Sequence, residues 1–137
     1  SLWVYFDFEK GRPLRVPKTF EEKYGSLNEQ ATGVDIETVR FQTITRPDLS
    51  LPIATRISDY DINGHANNAV ILQYIETGIS RLLTESGNIT ALQLTFLKEI
   101  PFSIKQVNII LEHSDGICLF EVENGGSVYV RGAAILG

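Results

Sequence analysis

The sequence contains few of the residues that build disulfides, metal centres or nucleic-acid surfaces. Its 137 residues include one cysteine and two histidines, so no internal disulfide can form and we expect a reducing compartment. No apolar run approaches the ~20 residues that a membrane-spanning helix needs. The apolar stretch 2–8 lacks the basic region and the cleavage site of a signal peptide. A net charge of −5 without any basic run argues against nucleic-acid binding.

Hydrophobic residues make up 43% of the chain and charged residues 21%, which is typical of a globular domain. The length suits a single domain with a substantial core. Sequence patterns before residue 60 predict only short elements: a strand over 2–8, a helix over 19–25, and strands over 34–45 and 51–58.

The most apolar helical pattern in the chain spans residues 69–83. Its apolar side chains cover nearly the whole circumference of a helix, which indicates a buried helix with no polar face. Asn67 or Asn68 is a natural N-cap for this helix. We therefore expect a sheet to wrap it.

An antiparallel meander is predicted after the helix. Asp115-Gly116 and Asn124-Gly125 are strong hairpin-turn signals between its later strands. One long buried helix followed by such a meander predicts an α+β fold. The predicted strands span residues 89–99, 102–113, 117–123 and 128–136.

Polar side chains cluster between residues 59 and 68, in the loop that leads into the long helix. Asp61, Asn63 and His65 are spaced by two, so they point the same way in an extended loop. The following helix aims its free N–H groups back at them and can polarise a carbonyl oxygen. Glu99 is a further carboxylate at the end of a sparsely charged strand, on the face opposite its apolar side chains. This cluster predicts a functional site rather than a filler loop.

The sequence also has to be tested for a calcium loop and for a transition-metal site. Residues 59–64 match the start of an EF-hand calcium loop, but the position of the bidentate Glu is Val70. Cys118 shares the apolar face of a strand and His113 precedes a turn, so neither indicates a transition-metal site. We expect no metal and no cofactor. A lone loop histidine is often structural, which is the alternative for His65.

The stretch 56–68, Arg-x-Ser-Asp-Tyr-Asp-x-Asn-Gly-His-Ala-Asn-Asn, resembles the hotdog thioesterases. It is most similar to the C-terminal half of fatty acyl–acyl carrier protein thioesterases, with Glu76 on the following helix in agreement. Residues 94–99 resemble the strand of that family that carries a catalytic Glu. Residues 2–17 resemble the end of the family's first hotdog repeat and the linker after it.

The resemblance implies a hotdog fold, in which an antiparallel sheet wraps one long buried helix. It implies hydrolysis of the acyl carrier protein thioester with release of a free fatty acid. The catalytic set it implies is Asp61, Asn63, His65 and Glu99. The acyl chain would lie between helix and sheet.

The same resemblance implies a role for each residue. Glu99, assisted by His65, would take a proton from the attacking water, and Asn63 would orient the water or the carbonyl. Backbone N–H groups of residues 67–69 would stabilise the oxyanion, and Asp61 would hold the loop. Family members often carry a cysteine directly after the Glu. This chain has Ile100 there, which excludes an acyl-enzyme at that position.

The family has two hotdog repeats, whereas this sequence accounts for one repeat and a trailing strand of another. We therefore assign residues 1–25 to the last strand of a missing first repeat plus a linker, and 26–137 to the hotdog thioesterase domain. The expected partners are an acyl carrier protein bearing a fatty acyl chain, and either a first repeat or a second copy of the chain. The candidates for a basic patch that binds the carrier protein are Arg12, Arg15, Lys18 and Lys23. The alternative interpretation of these four residues is a solvated linker.

Two alternative functions stay open at this point. One is a single-hotdog acyl-CoA thioesterase that acts as a homodimer. The other is a hotdog module that binds acyl thioesters without cleaving them. The presence of both His65 and Glu99 favours catalysis over binding alone. We expect a bacterial cytoplasmic location, or a plastid if the protein comes from a plant.

Overall fold

A computed structural model describes residues 6–7, 9–10, 12–25, 41–83 and 88–137. The chain forms two compact units, Ser1–Arg40 and Phe41–Gly137. The predicted boundary between residues 25 and 26 falls inside the first unit. The assignment of residues 1–25 to another repeat therefore stays a prediction.

The first unit contains two short strands and one helix. Strand β1 (Phe6–Asp7) pairs antiparallel with β2 (Arg12–Pro13). Helix α1 spans Lys18–Tyr24, and Gly25 follows it with a φ of 71°. A left-handed glycine is a common helix terminator, so the helix predicted over 19–25 is confirmed. Most of the strand predicted over 2–8 lies outside the described residues.

The second unit is a five-stranded antiparallel sheet with one long helix. The strand order is β3-β5-β6-β7-β4, and every neighbouring pair is antiparallel. This architecture confirms the predicted α+β class. Its elements are β3 (Leu49–Ala54), a 3-10 turn (Ile57–Asp59), α2 (Asn68–Leu82), β4 (Ile89–Phe96), β5 (Gln106–Ser114), β6 (Ile117–Asn124) and β7 (Ser127–Leu136).

Several predicted boundaries were wrong. Residues 41–45 form no strand, and 34–40 lie outside the described residues. The strand predicted over 51–58 ends at Ala54, because the 3-10 turn follows. The strand predicted from residue 102 begins only at Gln106, because the chain first turns with an Ile104 N–H to Pro101 O bond of 2.9 Å.

The two hairpin turns differ in how well the sequence located them. Asp115 and Gly116 have φ angles of 51° and 76°, as a type I′ turn requires, and confirm the first signal. The second turn lies one residue later than predicted. Its central residues are Gly125 and Gly126, with φ angles of 58° and 80°, while Asn124 still pairs with Ser127 in the ladder.

Helix α2 packs on the part of the sheet formed by β3, β5 and β6, mainly against β5. Gly78 allows this close approach, because a Cβ placed there would lie 2.7 Å from Cγ2 of Ile109. The layer between α2 and β5 is therefore filled. Its buried side chains include Ile71, Tyr74, Ile75, Ile79, Val107, Ile109, Leu111, Phe120 and Val122.

The prediction of a helix that is buried on all sides was wrong. Leu72 is 38% exposed, and the side of α2 away from the sheet carries exposed polar residues. A single sheet covers one side of a helix, so the buried residues form one stripe. The exposed polar residues are Gln73, Glu76, Thr77, Ser80 and Arg81.

Strand β4 is an edge strand and pairs only with β7 in the described sheet. Its register places Leu92 opposite Ala134 and Phe96 opposite Val130, on the side of the core. Leu92 and Phe96 are nevertheless 38% and 41% exposed, since α2 does not reach this part of the sheet. Among the described residues, no helix has the length and hydrophobicity of a membrane span.

Candidate active site

The loop between residues 60 and 66 is a tight, internally bonded turn. The Asp61 N–H donates to His65 O at 2.9 Å, and the Gly64 N–H donates to Asp61 O at 3.1 Å. Gly64 has a φ of 76°, a conformation that suits glycine. The loop is therefore compact rather than extended, and spacing by two does not by itself align its side chains.

The Asp61 carboxylate organises this turn. Its Oδ1 accepts from the N–H groups of Asn63 at 2.8 Å and His65 at 3.2 Å. The Asn63 side-chain amide lies 3.4 Å from Oδ2. The bond from the His65 N–H, together with those from Asn63, lowers the pKa of Asp61. Asp61 is thus an anion whose acceptors are used within the loop, which makes it a loop organiser rather than a free base.

Two main-chain bonds fix the end of this loop against the segment after β4. The Ala66 N–H donates to Ile100 O and the Phe102 N–H donates to Gly64 O, each at 2.9 Å. His65 forms a bridge with Pro101 in this arrangement. The segment that contains Glu99 is therefore held beside His65.

His65 and Glu99 form a direct contact. His65 Nε2 lies 3.0 Å from Glu99 Oε2. The side chain of His65 is 37% exposed and that of Glu99 is 71% exposed, so water reaches the pair. Of the four predicted catalytic residues, the structure brings together His65 with Glu99, and Asp61 with Asn63. The catalytic assignment of these residues itself stays a prediction.

The backbone is irregular directly after β4, in the segment that leads to Glu99. The N–H groups of Leu97 and Lys98 both point to Tyr129 O, at 2.7 and 3.2 Å. Two residues facing one is the pattern of a β-bulge, which re-aims the side chains that follow. Strict alternation in the sequence placed Glu99 on the face opposite Phe96, but β4 ends at Phe96, so alternation along the strand does not set the direction of the Glu99 side chain.

The start of α2 offers fewer free N–H groups than predicted. The Asn67 N–H donates to Asp59 O at 2.8 Å. The Ala69 N–H donates to the N-cap side chain, Asn67 Oδ1, at 2.9 Å. Of the three N–H groups predicted to hold an oxyanion, only that of Asn68 has no partner in the described part of the chain.

The sequence interpretation missed a buried network directly before this loop. Asp59 is only 1% exposed. Its carboxylate accepts from the Tyr74 hydroxyl, from the Arg56 N–H at 2.7 Å and from Arg56 Nε at 3.1 Å, with Arg56 Nη2 also at 3.1 Å. A tyrosine within the apolar stripe of α2 was the available signal, because a buried Tyr hydroxyl needs a partner.

This network shifts the pKa values of Asp59 and Tyr74 in opposite directions. Burial opposes ionisation of Asp59, but the Tyr74 and Arg56 hydrogen bonds with the Arg56 charge outweigh it and lower the pKa of Asp59. Burial and then the Asp59 contact raise the pKa of Tyr74 far above its ordinary value. Asp59 is therefore the acceptor and Tyr74 the donor at neutral pH.

The other residues that could bind a metal or act as a nucleophile form no site in the described part of the chain. They contain no group of three His, Cys, Asp or Glu side chains that could hold a metal ion. Cys118 is fully buried, and burial raises the pKa of its thiol to about 11. His113 is exposed beside the first hairpin turn. Cys118 is thus a core thiol, as the sequence indicated.

A cavity of about 450 Å³ opens between β3 and α2. None of the four predicted catalytic residues lines it. Its apolar part comes from β3 and its polar part from α2 and Arg56. The lining residues are Leu51, Pro52, Ile53, Ala54, Arg56, Gln73, Tyr74, Thr77 and Arg81.

The fold is the hotdog fold, and thioesterases are among the solved structures that share it. The 12:0-ACP thioesterase from Umbellularia californica has a TM-score of 0.77 at 20% identity, over 95% of this chain and 52% of that chain. An acyl-ACP thioesterase from Bacteroides thetaiotaomicron has a TM-score of 0.72 at 19% identity, over 96% and 52%. A Thermus thermophilus thioesterase complexed with coenzyme A and Zn has a TM-score of 0.56 at 21% identity, over 66% and 83%.

The sequence itself identifies the family. The Acyl-ACP thioesterase C-terminal domain matches residues 43–133, and the chain belongs to this family. This confirms the resemblance drawn from the motif. The chain spans about half the length of the two acyl-ACP thioesterases, at 52% of each. No curated protein sequence matches it significantly.

Proposed function

We propose that this chain provides the catalytic half of an enzyme that hydrolyses fatty acyl thioesters of acyl carrier protein. The observation that carries the proposal is the 3.0 Å contact between His65 Nε2 and Glu99 Oε2 beside the start of α2. Membership of the Acyl-ACP thioesterase C-terminal domain family supports the thioester as substrate. The product is a free fatty acid.

Water is the nucleophile in the proposed reaction. Its oxygen attacks the thioester carbonyl carbon while Glu99 takes its proton, and the His65 N–H holds the Glu99 carboxylate in place. The carbonyl oxygen becomes an oxyanion that accepts from the Asn68 N–H. The carbon–sulfur bond then breaks, and the proton held by Glu99 passes to the leaving thiolate. Such general-base help typically supplies ~10²–10⁴-fold.

Asp61 and Asn63 serve this reaction from the loop. The Asp61 carboxylate holds the turn through the Asn63 and His65 N–H groups. The Asn63 side chain is exposed on the same turn and orients the water or the substrate carbonyl. The layer between α2 and β5 is filled around Gly78. The proposed place of the acyl chain is the exposed core-side face of β4, the strand that precedes Glu99.

A second hotdog unit is the partner that we propose for the edge of β4, which pairs on its other side with β7 and with no further strand in the described part of the chain. Exposed edge strands are usually protected by proline or charge. The edge strand β3 contains Pro52, whereas the eight residues of β4 include neither proline nor charge. This partner is either a first repeat of the same protein or a second copy of the chain. We also propose that the protein acts where acyl carrier protein is found, in the bacterial cytoplasm or a plastid.

The pairing through β4 has a direct test. Thr95→Lys introduces a charge on the edge strand, on the face opposite Leu92 and Phe96, and should shift the weight-average mass in sedimentation toward the single chain. Ile117→Lys is the matched control, since Ile117 is 47% exposed on β6, away from the edge. A wild-type chain that is monomeric at high micromolar concentration would count against association between copies.

The function is tested by release of free thiol from acyl-acyl carrier protein and acyl-CoA of several chain lengths, on the full protein. We expect faster turnover of the carrier-protein thioester at equal chain length. A preference for acyl-CoA would favour a coenzyme A thioesterase. Tight binding of both thioesters with no thiol release would identify a binding module and refute the proposal.

A further inference from the structure

We propose that Asp59 is a positioning residue that couples the His65–Glu99 pair to the oxyanion donor at the start of α2. The inference rests on the proposed function and adds a residue to it. Asp59 contacts neither His65 nor Glu99. It acts through the two ends of the loop that carries His65.

The side chain of Asp59 fixes the beginning of the loop to α2. A carboxylate that is 1% exposed carries a large desolvation cost, which only well-placed donors offset. The donors here come from two separate elements. Arg56 belongs to the segment after β3, and the Tyr74 hydroxyl comes from the second turn of α2. Asp59 therefore holds the start of the loop at a set position along the helix.

The main chain of Asp59 fixes the end of the same loop. Its carbonyl accepts from the N–H of Asn67, the N-cap of α2, at 2.8 Å. This bond fixes the Ala66–Asn67 peptide, one peptide unit before the Asn68 N–H, which has no partner in the described part of the chain. One residue earlier, the Ala66 N–H bonds to Ile100 O, beside Glu99. A short chain of bonds thus runs from the Glu99 segment through Ala66 and Asn67 to Asp59.

The consequence concerns the transition state rather than substrate binding. Water activation by Glu99 and oxyanion stabilisation by the Asn68 N–H must act on one carbonyl group at the same time. A displacement of ~1 Å between such groups lowers turnover by up to ~10²-fold. Loosening Asp59 should therefore lower kcat and leave KM nearly unchanged.

The test removes one hydroxyl from each of two tyrosines in the full protein. Tyr74→Phe keeps the ring in the core and deletes the donor to Asp59. Tyr60→Phe is the matched control, because the Tyr60 hydroxyl donates to Ile104 O and does not contact Asp59. Steady-state hydrolysis gives kcat and KM, thermal unfolding checks the fold, and amide hydrogen exchange of Asn67 reports its bond to Asp59.

We expect Tyr74→Phe to lower kcat ~10-fold with KM within about twofold, and to speed exchange at the Asn67 amide. Tyr60→Phe should change neither quantity by more than about twofold. An unchanged kcat in Tyr74→Phe, a rise in KM alone, or an equal loss of kcat in Tyr60→Phe would overturn the proposal. If the wild type hydrolyses no thioester, the proposed function fails, while unaltered Asn67 exchange in Tyr74→Phe would separately refute the anchoring by Asp59.

Discussion

Glu99→Gln tests the reaction most directly, because it removes proton acceptance and little else. The Gln side chain keeps the length of Glu, and its amide oxygen still accepts from His65 Nε2 at the observed 3.0 Å. It cannot take a proton from water at neutral pH. Loss of general-base catalysis should lower kcat by ~10²-fold or more, which corresponds to about 2.7 kcal/mol of barrier.

The structure predicts that this loss occurs without unfolding. The Glu99 side chain is 71% exposed, and substitutions at exposed positions usually change stability by less than about 0.5 kcal/mol. Thermal unfolding of Glu99→Gln should therefore match the wild type. A variant that has lost both activity and stability would not report on the chemistry.

Two further variants complete this experiment. Cys118→Ala removes a buried thiol that lies in the core, so kcat should be nearly unchanged and only stability should fall. His65→Ala should resemble Glu99→Gln, and the double variant should be little worse than either, because groups that act as a unit are not additive. Near-normal turnover in Glu99→Gln, or none in Cys118→Ala, would refute the reasoning.

Two other predictions concern stability. Gly78→Ala should destabilise the fold by ~1–3 kcal/mol in denaturant unfolding. The reason is that the new Cβ would lie 2.7 Å from Ile109 Cγ2 and must displace a β-branched side chain. An unchanged denaturation midpoint would contradict this prediction and show that α2 can move away from β5. The folded pKa of Asp59 is below its ordinary 3.8, so its ionisation contributes stability above pH ~4 that is lost as the pH falls through the lower folded value. The free energy of unfolding, measured from pH 6 to pH 3, should fall toward acid in the wild type and should fall less in Tyr74→Phe. Equal slopes of this free energy against pH in both proteins would contradict the assignment of Asp59 as an anion stabilised by Tyr74.

The sequence alone determined the local structure well. The position of α2, its Asn67 N-cap and the Asp115-Gly116 turn were all predictable, because periodicity and turn chemistry involve residues close together in the chain. The loop that carries Asp61 and His65 was located for the same reason. The motif in this loop also identified the family, which the match over residues 43–133 confirms.

Tertiary structure decided what the site residues face. The contact between His65 and Glu99 joins residues 34 positions apart, and main-chain bonds of Gly64 and Ala66 to the segment after β4 hold the two residues side by side. Asp59 was buried by Arg56 and by Tyr74, a partner 15 residues away on the next helix. The exposed side of α2 was likewise set by how much of it one sheet covers. Hydrogen-bond partners and coverage depend on packing between elements, and no local pattern of residue types encodes that packing.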